Sequence, residues 1–502
     1  MSLVDEQPLS QAIYASSGDS LIAEAISHNV DSDVQSVFPI SRLPKNLLSQ
    51  VMMQAYKSGR NALRVRLTLS WVSRHWRRVA LGDARLWTCI NIGRDGRNSL
   101  AVEQEYTKEC IIRSKQFPLQ VNLNLRHAPT PVLETCLSQI HRIQKLTYDA
   151  GYSGGKILCT KSQLEHQRNF WSSSAPQLTS LELGYVSFTG NQRDFLANNY
   201  PRLKSLSLWS SNLDWNAPLL SCSTLTTLAI SKPDNRSWVN SLANKLALMP
   251  LLVSCSLSYC FVPSSMSTAS DTIHLRSLRR LYLQGEHISL LQFLGILGIP
   301  AEASVEAQME TETFITTDVR KAFDTLQRTR PYLWGDIRDL EIHATSSSFT
   351  AEVANPLSAS KDCISFQSFR ADNTRSLTAA CDSLAISNLE TLSVRSIETG
   401  FYSIFGRLQH LKSITFGHHT EKKFIWSLFD DTVGKERDDV PLPSLTELCF
   451  DGRVDEYQLH ELLAERKRIL QRQLTWLTLL HCSQEYSTEF EEVADEVSAY
   501  ED

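Results

Sequence analysis

A chain of 502 residues that is 42% hydrophobic can bury more than one core, and a net charge of −5 gives it no global attraction for nucleic acid or anionic membrane. Its eleven cysteines, odd in number and without a CxxC pair, argue against a disulfide framework or a zinc site and for reduced thiols in the cytoplasm or nucleus. The opening MSLVDEQPLS has no basic or apolar secretory region, and the longest apolar run, Leu290 to Ile299, is too short to span a bilayer, so no membrane is expected.

Residues 1–37 are rich in Ser, Asp and Gln and read as a flexible arm. From 38 to 92, two helical patterns flank the turn-like Lys57-Ser58-Gly59-Arg60. The first opens with Pro44, whose missing N–H costs nothing in a first turn, with Ser41 as a cap; it spaces Leu47, Leu48, Val51, Met52 and Ala55 helically. The second sets Val65, Leu69, Val72, Trp76 and Val79 in one continuous stripe. Arg66, Arg74, Arg77 and Arg78 fall off that stripe, which assigns them to solvated surface or to a rim facing an acidic partner. About 45 residues cannot bury two such helices unaided, so the segment must lean on the rest of the chain or on a partner.

These residues carry a resemblance. Leu43-Pro44 with Leu47, Leu48 and Val51, then LSWVSRHWRRVA from Leu69, then Arg85-Leu86-Trp87, resemble an F-box of the F-box-like kind typical of fungal proteins. Two positions depart from the family pattern: Asn46 stands where an acidic residue is usual, and Ser73 where Cys is usual. The resemblance implies a three-helix module that docks on a Skp-type adaptor and, through it, on a cullin ubiquitin ligase. The adaptor-binding residues it implies are Leu43, Pro44, Leu47, Leu48, Val51, Leu69, Val72, Trp76, Leu86 and Trp87.

Residues 93–130 read as a helix from Asn98 to Arg113, with one apolar side, and a half-buried strand from Phe117 to Leu125, where apolar and polar residues alternate. In the fungal F-box proteins that the chain resembles, this pair bridges the F-box to a repeat array.

An L-x-x-L-x-L unit then recurs from 131 to 484. It begins at Ile143, Leu178, Leu203, Leu225, Leu252, Leu278, Ile337, Leu389, Leu411, Leu445 and Leu474. Most of these starts lie near the leucine-rich-repeat period of about 20–29 residues. The gaps Leu278 to Ile337 and Ile337 to Leu389 span about two periods, so each can conceal a degenerate repeat, with Ile364-Ser365-Phe366 the candidate in the second. An irregular segment near 300–332 is acidic, then helical, and reads as an atypical repeat or an exposed loop. In L-x-L the two apolar residues share one side of a strand, and a strand that cannot bury that side alone must stack with its neighbours. Residues 485–502 read as a solvated acidic tail, an amphipathic cap through Phe490, Val493 and Val497 being the other option.

The fold class expected is therefore α/β: an N-terminal three-helix F-box-like module followed by a leucine-rich-repeat solenoid. Parallel strands would line its concave side, and helices and loops the convex side. Residues between the strand leucines would meet a target protein: Trp209, Arg280, Tyr282, Glu341, His343, Arg395, Glu447 and Trp476. Glu182 and Asp451 share that alternation.

Chemistry is sparse. Gly151-Tyr152-Ser153-Gly154-Gly155 fits G-x-S-x-G, but a nucleophile elbow needs a strand-to-helix turn, and a Gly/Ser loop after a repeat strand accounts for it better. His418, His419 and Glu421 lack further ligands at zinc spacing. No catalytic residue, cofactor or metal is expected. The function expected is substrate recognition in an SCF-type ubiquitin ligase. The rival is a leucine-rich interaction scaffold in which the F-box-like helices only cap the solenoid.

Overall fold

The computed structural model describes residues 43–502 apart from 59–61, 93–99, 125–129, 150–151, 154–155, 158–173, 187–199, 213–214, 264–271, 312–315, 345–347, 356, 358–360, 369–382, 396–404, 406–407, 418–439, 453, 481–487 and 501–502. The expected arm at 1–37, the Ser41 cap and the His418-His419-Glu421 group lie outside the described residues. The chain divides into two compact units, Met1–Asn235 and Arg236–Asp502. Each is mixed α/β and built on mostly parallel strands.

The first unit begins with three helices, α1 (Lys45–Ser58), α2 (Ala62–Trp71) and α3 (Arg74–Gly82). The stripe expected to run unbroken from Val65 to Val79 is split. Ser73 is extended, with φ −162° and ψ 168°, and its hydroxyl accepts the Trp76 N–H at 3.2 Å, capping α3. A serine at that point offers the backbone a partner outside the helix, which a hydrophobic periodicity cannot register. Val72 is therefore left in the break and 55% exposed, while Trp76 and Val79 are buried.

After the helices come β1 (Cys89–Ile92), α4 (Leu100–Arg113), β2 (Leu119–Asn124), α5 (Thr130–Leu137), β3 (Ile143–Asp149), β4 (Ser180–Gly184), β5 (Ser205–Trp209) and β6 (Thr227–Ser231). The strands pair in parallel, each with the next in sequence. Val102, Tyr106 and Cys110 of α4 are buried, as its apolar side required, and so are Leu119, Val121 and Leu123 of β2. Arg142 is buried beneath the end of α4 and donates to the carbonyls of Ile111, Lys115 and Phe117 and to the Ser114 hydroxyl. It satisfies oxygens that a helix terminus would otherwise leave orphaned.

The second unit contains α6 (Val239–Ala247), β7 (Ser254–Ser258), β8 (Arg280–Glu286), α7 (His287–Ile296), β9 (Ser304–Thr311), α8 (Thr316–Thr329), β10 (Asp339–Ala344), β11 (Ser348–Ala354) and β12 (Lys361–Ser368). It ends with β13 (Thr391–Arg395), β14 (Ser413–Phe416), β15 (Glu447–Asp451), α9 (Glu456–Leu470), β16 (Leu474–Leu480) and β17 (Ala494–Tyr500). The lateral order is β7-β8-β9-β12-β11-β10-β13-β14-β15-β16-β17. Every pairing is parallel except those of β11, which runs antiparallel to both neighbours.

Each L-x-x-L-x-L unit ends in one of these strands, and its three apolar residues are at most 5% exposed. In most units the first leucine donates its N–H three residues back in a recurring tight turn, as in Leu178 to Ala175, Leu203 to Tyr200, Leu252 to Met249 and Leu445 to Leu442, whereas Ile337 and Leu474 donate to the Ala385 and Val493 carbonyls. The next two point from the strand into the core of their own unit; in the second unit α7 places Phe293 there and α8 places Phe323. Each fully buried leucine contributes about 1.5–3 kcal/mol.

Of the two options for the segment near 300–332, the exposed loop is excluded: it is β9 followed by α8, with Val305, Ala307 and Met309 buried. Glu302 and Ala307, standing where the L-x-x-L-x-L pattern has its first and last leucines, hid the strand from that pattern. Residues 494–500, expected in a solvated tail, form β17, parallel to β16, with Phe490 and Val493 buried ahead of it. The tail's many acidic residues masked an alternation in which Val497 and Ala499 follow Leu477 and Leu479 in register.

Tyr185, Ser210, Lys232 and Tyr259 each follow a strand directly, and each has φ between 46° and 56°. The Ser210 N–H donates to the Ser231 carbonyl from this left-handed conformation. Ser210→Gly should therefore hold or raise stability, whereas Ser210→Val, β-branched, should lower it by about 1 kcal/mol; denaturant midpoints of the two variants check this.

Candidate interaction surfaces

On α1, Leu47 and Val51 follow one another along one side, with Pro44 just ahead of the helix, and Leu48 and Met52 along another. Leu47 and Val51 are each 43% exposed, whereas Leu48 and Met52 are fully buried. At the α2–α3 junction Trp71 and Val72 are also exposed. Leu69, Trp76, Leu86 and Trp87 are buried, and the Trp87 indole N–H donates to the Ala80 carbonyl at 2.9 Å. Leu43 is half-buried. The ten residues implied as an adaptor contact thus separate into an outward set and a set that holds the helices together.

A polar clamp fixes the turn that carries Leu86 and Trp87. Asp83 caps the 3₁₀ turn Ala84–Trp87 by accepting the Arg85 N–H at 3.1 Å. Its carboxylate also binds the Arg85 guanidinium at 2.8 Å and the Ser49 hydroxyl of α1. Burial raises the Asp83 pKa, but the hydrogen bonds from Arg85 and Ser49 together outweigh it and hold the carboxyl below its ordinary 3.8.

Arg66 overturns the expectation of a solvated basic face. It is 2% exposed, donates to the Tyr106 hydroxyl, the Cys110 thiol and the Cys89 carbonyl, and lies over the rings of Trp87 and Tyr106. It ties α2 to α4 and β1. Helical spacing marked Arg66 as off the apolar stripe and could not reveal that a second layer would cover it.

The second surface is the solvent-facing side of the strands, where the residues between the leucines stand. In the second unit the register aligns Tyr282, Glu306, Cys363, Glu352, Glu341 and Ser393 across successive strands. Glu341 meets Arg395 at 3.1 Å and Lys361 at 2.6 Å, and Lys361 also reaches Glu352 at 3.3 Å. The Glu341 hydrogen bond is the main reason the Lys361 pKa is raised. Trp476 is 46% exposed and stands in register between Glu447 and Glu496. Arg280 and His343 are exposed and Tyr282 is half-buried on the same side.

In the first unit Trp209 is half-buried, because its indole lies over its register partner Gly184; a Cβ on Gly184 would come within 2.2 Å of the ring. Glu182 neighbours Thr147 and accepts from its hydroxyl at 3.1 Å.

Ser153 belongs to a short antiparallel pairing of Tyr152–Ser153 with Lys156–Ile157. The chain thus returns as a strand, not as the helix that a nucleophile elbow demands. Among the described residues no group of three or more His, Cys, Asp or Glu is placed to hold a metal ion, and no helix is long and apolar enough to cross a membrane.

No family model matches the chain, and no curated protein matches it either.

Proposed function

We propose that this chain is a substrate-recognition subunit of an SCF-type ubiquitin ligase. On this reading 38–92 is an F-box-like module that binds a Skp-type adaptor and, through it, a cullin. The strands form a leucine-rich-repeat solenoid whose solvent-facing side holds a target protein. The chain supplies no nucleophile; it acts by bringing the target near a ubiquitin-charged enzyme.

The observation that supports this reading most is the outward apolar set of the helical module. Leu47, Val51, Trp71 and Val72 are exposed although core-facing leucine and tryptophan positions lie one or a few residues away. Several exposed apolar side chains on so small a module suit a partner surface. Buried Leu48, Trp76, Leu86 and Trp87 would then shape the module without touching the adaptor.

A second reading has its own support. Arg66 and Trp87 anchor the helices to α4 and β1, as a terminal cap of a repeat array would be anchored. Capture with a Skp-type adaptor separates the two. Leu47→Asp/Val51→Asp, at exposed positions, should leave folding intact and reduce capture by at least about ten-fold. Equal capture by wild type and variant, or none by wild type, would leave the cap reading standing.

A further inference from the structure

We propose that the solvent-facing side of the sheet in the Arg236–Asp502 unit docks a lysine- and arginine-rich extended segment of a partner protein. This rests on the reading of that face as the target-binding surface and adds the chemistry of the target.

The strand register carries the argument. At one end, Tyr282 stands beside Glu306, and two rungs further along Glu286 stands directly opposite Glu310. Like charges placed opposite each other in a ladder destabilise the sheet. Among the described residues none of these three carboxylates forms an ion pair: Glu306 accepts from the Gln308 amide and Glu310 from the Tyr259 hydroxyl, and Arg236 is close enough to act on that phenol but is not bound to either carboxylate. That phenol is pushed up to about 12 by burial and by Glu310, so it donates a proton and adds no charge. The contrast with Glu341 and Glu352 is internal to the same face, since those two are bridged by Lys361.

At the other end, Trp476 projects between Glu447 and Glu496, and among the described residues neither carboxylate has a cationic partner. A half-exposed aromatic ring flanked by two carboxylates fits a Lys or Arg side chain: the ring takes the cation or its aliphatic stem, and the carboxylates take the charge. At about 4.8 Å per strand the two ends lie roughly 35 Å apart, within reach of an extended segment of about ten residues. Neutralising the Glu286–Glu310 repulsion would add to the affinity of any such ligand.

The test uses the full chain and a labelled Lys/Arg peptide of about twelve residues, with an equally long Glu peptide for comparison, at about 0.1 M salt. Wild type should bind the basic peptide and not the acidic one. Glu306→Gln/Glu310→Gln and, separately, Glu447→Gln/Trp476→Ala should each weaken binding at least about ten-fold, and Glu489→Gln/Glu491→Gln, exposed carboxylates off this face, should change it less than about two-fold. The first variant should also fold at least as well as wild type, because it removes a like-charge contact. No binding of the basic peptide, or equal losses in the face and control variants, would overturn the proposal. Adaptor capture is measured separately on the same variants. A chain that captures no adaptor yet binds the peptide through these residues loses the ligase reading and keeps this one.

Discussion

Asp362→Ala is expected to destabilise the Arg236–Asp502 unit by about 3–5 kcal/mol, the range for stranding one member of a buried ion pair. Arg330 and Asp362 are 0% and 1% exposed at their side chains and 2.7 Å apart. The carboxylate also accepts the Val305 N–H at 2.9 Å and the Trp334 indole N–H at 3.3 Å. The guanidinium donates to the Ala303 carbonyl at 2.6 Å and to the Pro300 carbonyl at 3.3 Å. Together they tie the start of β9 to the start of β12 and to the turn Pro331–Trp334 after α8. Removing the carboxylate leaves an uncompensated cation and two unpaired N–H donors inside the protein. Burial pushes the Asp362 carboxyl above its ordinary range, against the pull of Arg330 and the Val305 and Trp334 donors. Desolvation is thus the dominant cost of keeping the pair, so Arg330→Met/Asp362→Leu should recover part of the loss. The recovery should be incomplete, because the Val305 and Trp334 donors stay unpaired. Denaturation followed by circular dichroism measures both variants; a double variant no better than Asp362→Ala would refute this account.

Arg66→Met is expected to loosen the three helices from α4 and β1 and to cost about 3 kcal/mol, the upper range for hydrogen bonds to a charged group. The replacement keeps most of the aliphatic stem but removes the donors that reach the Tyr106 hydroxyl and the Cys89 carbonyl at 2.9 and 2.5 Å, leaving those two groups the long 3.4 Å bond between them. The cation over the Trp87 ring, 5.6 Å from its centre, is also lost. Cleavage by a protease near 83–99, with the strands of the unit still protected, is the expected readout. Arg78→Met, at an exposed position of α3, should change stability by less than about 0.5 kcal/mol. Equal effects at Arg66 and Arg78 would show that the buried contacts carry no special weight.

These two arginines mark the limit of what local pattern reveals. Arg66 reads as a surface residue in sequence and nothing there singles out Arg330, since arginine is seldom buried unless paired. Their partners lie 32 residues away for Arg330 with Asp362, and 40 and 44 for Arg66 with Tyr106 and Cys110. The candidate surfaces were legible in the same partial way. Trp476 was placed on the solvent side by alternation alone, and it is there. Trp209 was placed on that side too, but a neighbouring strand's Gly184 lets its ring lie down against the sheet. Of the ten residues implied in adaptor contact, sequence could mark the apolar positions of α1 without telling Leu47 from Leu48, one residue apart and oppositely placed.

By itself, the sequence determined which residues of each strand enter the core. Alternation along a strand is a property of one backbone, so L-x-L suffices to orient Leu146 and Tyr148, or Leu477 and Leu479, whatever lies beside them. It also determined where most strands begin, through the turn that the first leucine closes in units such as those at Leu178, Leu203, Leu252 and Leu445. Tertiary structure alone decided the order of the strands. β12 pairs with β9, and β11 runs backwards between β12 and β10, a choice made by contacts such as Asp362 with Val305 and Arg330. It alone decided, too, that Glu286 meets Glu310 and that Trp476 stands between Glu447 and Glu496. Charge on a face is a sum over strands distant in sequence, and register between strands is what brings its members together.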